Sequence, residues 1–415
     1  MKIAMVSEHA SPLAALGGVD AGGQNVHVAA LAAALARRGH TITVYTRRED
    51  PTVAERVSGS PGVEVVHVPA GPPTVLPKDE LLPHMTRFGD WMATDWNQQG
   101  PPDVVHAHFW MSGLAALRAG RALPVPLAQT FHALGSVKRR HQGAADTSPA
   151  DRVELERHLC RTVDLVLATC RDEVAELTAL GARPNQMRVV PCGVDTDFFT
   201  PLADDDEPAP VPNRLLAVGR LVPRKGYDRI ISALPHLPSA ELVIAGGPPA
   251  DQLASDAEAR ELIALADALG VGGRVRLTGA VKRDAMPALF RSAAVVLTMP
   301  WYEPFGITAL EAAACARPLV AAAVGGLVDT VVDGVTGRLL SSTDPASIAA
   351  AVQSLLDAPA LAQRWGAAAR RRAVSRYEWT RVAAETERAL EHLVSADPDG
   401  HRSTSLTRSE AAWAR

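Results

Sequence analysis

Two glutamates in the last third of the chain are the clearest candidates for ligand chemistry. Glu303 and Glu311 lie eight positions apart, with Pro304 and Gly306 between them. Pro304 is tolerated in the first turn of a helix, so we expect Glu303 in a loop and Glu311 about two turns inside a helix. A carboxylate on an apolar helix is costly unless hydroxyl groups or a cation satisfy it. Sugar hydroxyls would satisfy both carboxylates, and the amides of Phe305 and Gly306 would face an anion.

A basic turn follows a predicted strand about eighty positions earlier. After Leu215–Val218 comes Gly219-Arg220-Leu221-Val222-Pro223-Arg224-Lys225-Gly226. Arg220 and Lys225 would then lie at the carboxyl end of a strand, where open α/β sheets bind ligands. Arg220 can donate two parallel hydrogen bonds and Lys225 supplies a compact charge, so the two could neutralise a diphosphate. From these residues alone, a solvated basic turn is an equal alternative.

A glycine-rich loop lies near the amino terminus, between the first predicted strand and helix. The stretch from Gly17 through Gly22 and Gly23 to Asn25 presents main-chain amides at a helix N-terminus, a common phosphate site. Its spacing is not G-x-G-x-x-G, and Arg47 stands where an acidic residue would close the second strand of a dinucleotide-binding enzyme. These departures disfavour an oxidoreductase, and a flexible turn is the alternative to a phosphate site.

Composition and charge narrow the class of protein. The chain has 415 residues, of which 47% are apolar, and a formal net charge of −4. These values suit two or three folded domains and give no case for nucleic-acid binding. The first residues lack the pattern of a signal peptide, and no apolar stretch approaches the roughly 18–20 residues of a membrane span. We therefore expect a cytoplasmic protein with no transmembrane segment, and its four scattered cysteines predict buried free thiols.

Short β-rich runs alternate with helical patterns, which predicts βαβ units and parallel sheets. The predicted strands are Lys2–Val6, Thr41–Thr46, Val63–Val68, Val104–Ala107, Leu215–Val218, Glu241–Ala245, Val275–Thr278, Ala294–Thr298 and Leu319–Ala322. A first helix is predicted over Val26–Arg38, with Gly39 closing it in the left-handed conformation. The acidic, proline-rich stretch 203–212 has the composition of a linker. We expect an α/β fold of two Rossmann-like, doubly wound lobes with a cleft between them, over residues 1–200 and 201–376, and a flexible tail over 395–415.

Several groups of residues in combination resemble one large enzyme family. They are Glu303-x7-Glu311 with Phe305-Gly306, Gly219-Arg220 with Lys225-Gly226, Val324-Gly325-Gly326-Leu327, and Asp333-Gly334-x-x-Gly337. The combination resembles the retaining GT-B glycosyltransferases of family 4, the group 1 glycosyltransferases. That family includes sucrose-phosphate synthase, bacterial mannosyltransferases and the inositol-phosphate N-acetylglucosaminyltransferase of mycothiol synthesis. The resemblance implies an acceptor-binding first lobe, a nucleotide-sugar-binding second lobe, and a last helix over about 377–394 that crosses back onto the first lobe.

The resemblance also implies roles for matching residues on the donor side. The implied donor-binding residues are Gly22, Gly23, Arg220, Lys225, Glu303, Phe305, Gly306, Ile307 and Glu311, and the implied catalytic residues are His132, Arg220, Lys225 and Glu303. Glu311 would bind ribose hydroxyls and Glu303 a sugar hydroxyl. Arg220 and Lys225 would bind the diphosphate, and Gly23 the β-phosphate. His132 would contact the donor sugar, whereas His108 is as consistent with a structural histidine. No protein nucleophile is implied, because the leaving phosphate takes the acceptor proton on the same face.

For the acceptor, the chain most resembles the mycothiol and sucrose-phosphate branch. In that branch a lysine and an arginine bind the acceptor phosphate, and Lys78 and Arg152 fall in matching positions. Phe109 stands where the mycothiol enzyme has a tyrosine, so one phosphate contact is missing, and the basic run 138–140 could supply another. With Asn25, these are the expected acceptor-binding residues, and the expected acceptor is small and bears a phosphate or a carboxylate. An exposed lysine is the alternative for Lys78.

Other functions remain open from the sequence. A nucleotide-sugar 2-epimerase or hydrolase would share the architecture and need no acceptor, but the Glu303/Glu311 spacing disfavours it. A glycan phosphorylase would need pyridoxal phosphate and a longer chain, and a non-catalytic nucleotide-sugar-binding module or a transferase acting on sulfur are further alternatives. We expect no cofactor and no metal, because Asp204–Asp206 falls in the linker rather than beside a strand. The residues do not separate UDP, GDP and ADP, and a homodimer stays open.

Overall fold

The computed structural model describes residues 1–13, 22–201 and 211–396. Most of the predicted linker, most of the glycine-rich loop and the tail beyond residue 396 lie outside the described residues.

The first lobe is built on an eight-stranded sheet. Its strands are β1 (Lys2–Val6), β2 (Thr41–Arg47), β3 (Arg56–Ser58), β4 (Val63–Val68), β5 (Val104–His108), β6 (Leu127–Thr130), β7 (Leu165–Ala168) and β8 (Met187–Val189). Their order is β3-β4-β2-β1-β5-β6-β7-β8, with only β3 antiparallel to its neighbour. Near-continuous burial along the central strands is what a parallel sheet covered on both faces requires.

Helices cover both faces of this sheet. They are α1 (Gly23–Arg37), α2 (Met85–Gln99), α3 (Trp110–Gly120), α4 (Gly135–Gln142), α5 (Arg152–Thr162) and α6 (Arg171–Ala179), with short 3₁₀ segments at Lys78–Glu80, Leu82–His84, Gly143–Ala145 and Pro184–Gln186. In α1, the predicted apolar face of Val28, Leu31 and Leu35 is buried. Gly39 has φ +92° and closes this helix as predicted.

The second lobe is built on a fully parallel six-stranded sheet. Its strands are β9 (Arg214–Val218), β10 (Glu241–Ala245), β11 (Val275–Leu277), β12 (Val295–Thr298), β13 (Leu319–Ala322) and β14 (Gly337–Leu340), in the order β11-β10-β9-β12-β13-β14. Its helices are α7 (Tyr227–Ala233), α8 (Ala257–Ala268), α9 (Met286–Ser292), α10 (Ile307–Ala314), α11 (Leu327–Thr330), α12 (Pro345–Leu356) and α13 (Pro359–Arg372). Short 3₁₀ segments lie at Pro223–Lys225, Leu234–His236, Ala250–Ser255, Gly272–Arg274 and Arg283–Ala285. The predicted fold class of two doubly wound α/β lobes is confirmed.

The last helix, α14 (Trp379–Ala396), lies against α1 of the first lobe. Glu387 on α14 accepts hydrogen bonds from Arg38 Nε and His40 Nε2, both at 2.7 Å. The helix begins two residues later than expected, because 373–377 forms a π-helical segment after α13. The exact domain limits at residues 200 and 376 stay a prediction.

Both sheets reverse their strand order at one point, and these points position the candidate site. The reversal falls between β1 and β5 in the first sheet and between β9 and β12 in the second. Loops that follow strands at such a point form the ligand crevice of open α/β sheets.

All four cysteines are buried and free, as predicted. Among the helices of the described ranges, none is long and apolar enough to cross a membrane.

Candidate active site

The start of α1 and the residue Cys170 after β7 contact the second lobe, at the loop after β12 and the start of α10. A Cβ added to Gly23, at the start of α1, would lie 3.0 Å from Ile307 Cδ1, at the start of α10. The Cys170 thiol donates to the Pro304 carbonyl at 3.4 Å. Gly23 and Ile307, both predicted donor-binding residues, therefore face each other from opposite lobes.

Lys225 and Glu303 form an ion pair at the edge of the second sheet. Lys225 Nζ lies 2.5 Å from Glu303 Oε2, and Arg224 Nη1 lies 3.6 Å from the same oxygen. Burial raises the pKa of Glu303, but the charges of Lys225 and Arg224 outweigh it and hold the pKa below its ordinary value. Two residues predicted to bind different parts of the donor thus also bind each other. A ligand that reaches them meets a preformed pair.

Glycines allow the main chain to pack closely around this pair. Gly226 ends the 3₁₀ segment of Lys225 at φ +69°, and a Cβ there would lie 2.0 Å from the Met299 carbonyl oxygen. Gly325 has φ +50°, and a Cβ there would lie 2.1 Å from the Glu303 carbonyl oxygen. The Gly325-Gly326 pair of the sequence motif therefore lets the chain pass directly under the Glu303 loop.

Arg220 follows β9 at the same edge, and its charge reaches both lobes. It lowers the pKa of Glu303 in the second lobe and that of Lys78 in the first. The predicted diphosphate-binding residues Arg220 and Lys225 are therefore on one side of the cleft, opposite Lys78.

The helix that carries Glu311 begins later than expected. Gly306 is the N-cap of α10 with φ +89°, and a Cβ there would lie 2.7 Å from Leu327 Cδ2, so the chain turns at this glycine. The expectation that Pro304 occupies the first turn was wrong, because Pro304 lies two residues before the cap. Glu311 consequently lies about one turn inside the helix rather than two.

Glu311 is a partly buried carboxylate without a protein partner. Burial raises its pKa to about 7, against the weaker opposing charge of Arg283. No residue in the described ranges donates a hydrogen bond to it. Phe305, in contrast, packs into the core edge-on to Tyr377, with ring centres 6.2 Å apart, so only its main chain is placed to meet a donor.

Three of the four predicted acceptor-binding residues meet in the first lobe. Lys78 Nζ lies 5.0 Å from the centre of the Phe109 ring, and Arg152 Cζ lies 5.1 Å from it. Both cations therefore lie within reach of cation–π attraction to the same ring. Desolvation of its ammonium group, followed by the charge of Arg152, lowers the pKa of Lys78 to about 8, with Asp79 opposing. As a residue Lys78 is exposed, as the alternative interpretation has it, but its ammonium group lies beside Arg152 and the Phe109 ring.

Arg152 and Phe109 are held firmly in place. Arg152 donates to Glu156 Oε1 at 2.8 Å, to Ser148 Oγ at 3.1 Å and to the Ala133 carbonyl at 2.8 Å. Phe109 caps α3 with φ +81° and ψ 156°, a conformation that costs a non-glycine residue about 1–3 kcal/mol. Backbone strain of this kind clusters at ligand sites, where the surrounding structure maintains it.

The fourth predicted acceptor residue has another role in the structure. Asn25 Nδ2 donates to the Ser11 carbonyl at 3.1 Å, and its Oδ1 accepts from the Gly22 amide at 3.2 Å. Both ends of its amide therefore hold the start of α1. The basic run 138–140 is also occupied, since Lys138 pairs with Asp146 at 3.0 Å and Arg140 with Glu176 at 2.7 Å.

His132 and His108 contact each other at the carboxyl ends of β6 and β5. His108 Nδ1 lies 3.0 Å from His132 Nε2, and His132 has a left-handed backbone with φ +61°. Burial and neighbouring imidazoles lower the pKa of both residues well below the ordinary value, so both rings are neutral. His108 therefore contacts the predicted catalytic histidine directly, and its own role stays a prediction.

A carboxylate–imidazole pair just after β1, Glu8 with His9, was not predicted from the sequence. Glu8 is buried, its Oε1 lies 2.7 Å from His9 Nδ1, and it also accepts a hydrogen bond from Ser112. The His9 ring meets the Phe109 ring edge-on at 4.8 Å. The position of both residues directly after the first strand, at a ligand-binding edge, was the available signal.

The comparisons with known proteins agree with this geometry. Residues 21–198 match the family profile described as Glycosyltransferase Family 4, and residues 203–372 match Glycosyl transferases group 1. The chain is 39% identical to a D-inositol 3-phosphate glycosyltransferase of Xylanimonas cellulosilytica over 92% of this chain and 94% of that protein. A D-inositol 3-phosphate glycosyltransferase of Mycolicibacterium smegmatis is 37% identical over 86% of this chain and 83% of that protein.

Solved structures support the same assignment. Sucrose-phosphate synthase from Thermosynechococcus elongatus superposes with a TM-score of 0.86 and 30% identity, over 95% of this chain and 99% of that one. HepE of Anabaena, solved with UDP and glucose, has a TM-score of 0.72 at 18% identity, over 94% of this chain and 99% of that one, and shows the fold. Fold and site together define a glycosyltransferase. The chain belongs to the group 1 glycosyltransferases of family 4, which have the GT-B fold.

Proposed function

We propose that the protein transfers a sugar from a nucleoside-diphosphate sugar, with GDP or UDP as the nucleotide, to a small anionic acceptor. We further propose that transfer retains the anomeric configuration and needs no metal. The observation that carries the acceptor class is the grouping of Lys78 and Arg152 around the Phe109 ring, with the charge of Arg220 reaching Lys78 from across the cleft. Clustered positive charge favours an anionic ligand.

On the donor side, Arg220 and Lys225 would bind the diphosphate and stabilise the charge that develops on it. The amide of Gly23 would meet the β-phosphate from the first lobe. Glu311 would accept hydrogen bonds from the ribose hydroxyls. Its lack of a protein partner among the described residues supports this role. Glu303, already paired with Lys225, would accept from a sugar hydroxyl.

In the proposed reaction, the bond between the anomeric carbon and the phosphate oxygen breaks while the acceptor oxygen attacks on the same face. The leaving phosphate oxygen takes the acceptor proton, so no protein nucleophile is required. His132 would position the sugar. The protein contributes orientation and charge stabilisation, which suits two preorganised sets of groups on facing lobes.

On the acceptor side, Lys78 and Arg152 would bind the anionic group beside the Phe109 ring. The relatives named D-inositol 3-phosphate glycosyltransferase support a phosphate-bearing acceptor. Phe109 lacks the hydroxyl of a tyrosine, so we expect fewer phosphate contacts than in the mycothiol enzyme. A cytoplasmic location and a homodimer stay predictions.

The test is a product analysis with a panel of UDP- and GDP-sugars, each with and without phosphorylated, carboxylated and thiol acceptors. Glycoside formed only with an anionic acceptor, in the donor's anomeric configuration, supports the proposal. A free sugar or a 2-epimer formed without acceptor would identify a hydrolase or an epimerase, and a thioglycoside would identify transfer to sulfur. Lys78→Gln should raise the acceptor KM roughly tenfold or more, the loss of one charge-assisted hydrogen bond. The matched control Lys2→Gln, at an exposed residue on β1, should leave it unchanged.

A further inference from the structure

Three histidines from separate elements of the first lobe meet at one point. His27 lies on α1, His108 ends β5, and His132 follows β6. Their ring centres are 4.9, 5.2 and 5.5 Å apart, so the rings form a nearly equilateral triangle. One nitrogen of each lies within 4.8 Å of a nitrogen of both others. Only His132 has a part in the proposed function.

We propose that His27, His108 and His132 form a binding site for a divalent transition-metal ion, with Zn²⁺ as the best match. A tetrahedral ion at roughly 2.0–2.1 Å from each nitrogen places neighbouring nitrogens about 3.3 Å apart and the ring centres about 5 Å apart. The rings already have this spacing. The 3.0 Å contact between His108 and His132 has to open by only about 0.3 Å.

The chemistry of the three rings suits a metal. Imidazole must be neutral to bind a metal ion, and burial lowers the pKa of His27 to about 4 and those of His108 and His132 well below the ordinary value. The Cys192 thiol lies 3.2 Å from His27 Nδ1, which leaves Nε2 of that ring for the ion and fixes its orientation.

The cluster also contains a nitrogen–nitrogen contact, between His108 Nδ1 and His132 Nε2. Between two neutral rings a single hydrogen holds such a contact. A cation would replace the His108–His132 contact by two stronger bonds.

Three protein ligands leave the fourth position of a tetrahedral ion open. Imidazole ligands favour Zn²⁺, Ni²⁺, Co²⁺ and Cu²⁺ over Mg²⁺ and Ca²⁺, which prefer oxygen. The ion would occupy the His132 ring that the proposed function assigns to the donor sugar, so it would inhibit transfer. Binding of the ion stands without the proposed function, whereas inhibition rests on it.

The binding test uses the full chain, stripped of metal and titrated with Co²⁺, whose visible absorption distinguishes tetrahedral coordination from the hydrated ion. We expect one tetrahedral Co²⁺ per chain, displaced by Zn²⁺. His27→Phe removes one of the three proposed ligands. Loss of a residue that only hydrogen-bonds to a metal ligand weakens metal binding roughly 10–100-fold, so we expect a larger loss of affinity in this variant. The control His67→Gln removes a buried histidine outside the cluster and should bind like the wild type. Thermal melts establish that both variants fold.

A Co²⁺ spectrum that stays that of the hydrated ion, or unchanged binding in a folded His27→Phe variant, would overturn the site. The second arm measures glycosyl transfer. Zn²⁺ should inhibit the wild type, EDTA should reverse the inhibition, and His27→Phe should retain transfer in the presence of Zn²⁺. Equal inhibition of both proteins would overturn the inhibitory role. A tetrahedral Co²⁺ spectrum without any glycosyl transfer would leave the metal site standing and remove the proposed function.

Discussion

Lys225 Nζ donates to Glu303 Oε2 at 2.5 Å across 78 positions of sequence, and both side chains are largely buried. Lys225→Met would leave Glu303 with Arg224 at 3.6 Å and the weaker influence of Arg220, so the pKa of Glu303 should rise from its lowered value. A lowered pKa in the folded state stabilises the protein above the unfolded pKa, and that stabilisation is lost as pH falls through the folded value. In the variant the stabilisation should therefore be smaller, and its loss should be complete at a higher pH.

The measurement is urea unfolding from pH 3 to pH 8 for the wild type, Lys225→Met, Glu303→Gln and the double variant. We expect Lys225→Met to lower the free energy of unfolding by about 1.5–3 kcal/mol at neutral pH, because it leaves a carboxylate underpaired. The double variant should recover part of that loss. Strictly additive effects of the two substitutions would show that the pair is not coupled.

Glu311 should make stability fall as pH rises. Burial raises its pKa from 4.5 to about 7, so between these values the folded protein binds a proton that the unfolded chain has released. At roughly 1.4 kcal/mol per pKa unit, the upper bound is about 3 kcal/mol. Glu311→Gln should remove this pH dependence, and the exposed control Glu391→Gln should keep it. Nucleotide affinity should rise toward pH 7 in the wild type alone, because ribose hydroxyls bind the ionised carboxylate. Identical pH profiles in wild type and Glu311→Gln would contradict this role.

Removal of metal should not affect nucleotide binding. A thermal-shift series with UDP, GDP and ADP, each with magnesium or with EDTA, should show one nucleotide that stabilises the protein by about 2.7 kcal/mol at a hundred times its Kd. The shift should be the same in EDTA and absent in Glu311→Ala. A shift that requires magnesium would contradict the metal-independent proposal. No shift with any nucleotide would contradict the donor site itself.

Asp329 of the second lobe caps a helix of the first. Its Oδ2 accepts from the Arg171 amide at 2.7 Å and its Oδ1 from Arg171 Nε at 2.6 Å, at the start of α6. Asp329→Ala should destabilise the protein by about 1 kcal/mol through loss of the cap and should enlarge the radius of gyration in X-ray scattering as the lobes separate. Arg171→Gln keeps the amide and should change little, since the Arg171 side chain is exposed. If Asp329→Ala and Arg171→Gln changed the stability and the radius of gyration equally, the ion pair rather than the helix cap would account for the contact.

Nine of the fourteen strands in the described residues were predicted from the sequence, whereas β3, β6, β7, β8 and β14 were not. Lys2–Val6, Val63–Val68, Glu241–Ala245 and Leu319–Ala322 were predicted with the residues that the structure has. Strands of a parallel sheet are buried on both faces, so their sequences are continuous apolar runs that can be recognised without knowledge of the tertiary structure. The start of α10 was not predictable in this way. Pro304 suits a first turn, but the close approach of Leu327 to Gly306, which no local pattern reveals, sets the turn after it.

The chemistry of the site was only partly predictable. Residue types located Lys225 and Glu303 separately, but their pairing depends on how two loops fold over each other. The same holds for His27, which appears in the sequence as one position in an amphipathic helix and lies next to His132 only because the fold brings α1 close to the residue that follows β6. Arg152 matched a phosphate-binding position, whereas its bond to Glu156 four residues later follows from helix geometry. The roles of these residues stay predictions.

The contact between α14 and α1 also sets an order in time. Val382, Ala383 and Leu390 are buried in one cluster with Leu31 and Leu35 of α1. During synthesis at roughly 5–20 residues per second, α1 leaves the ribosome tens of seconds before α14. Until then its apolar face and the Arg38 and His40 side chains lack the partners that α14 supplies. The first lobe to be made is therefore the last to be completed, and a chain that stops before Glu387 never completes it.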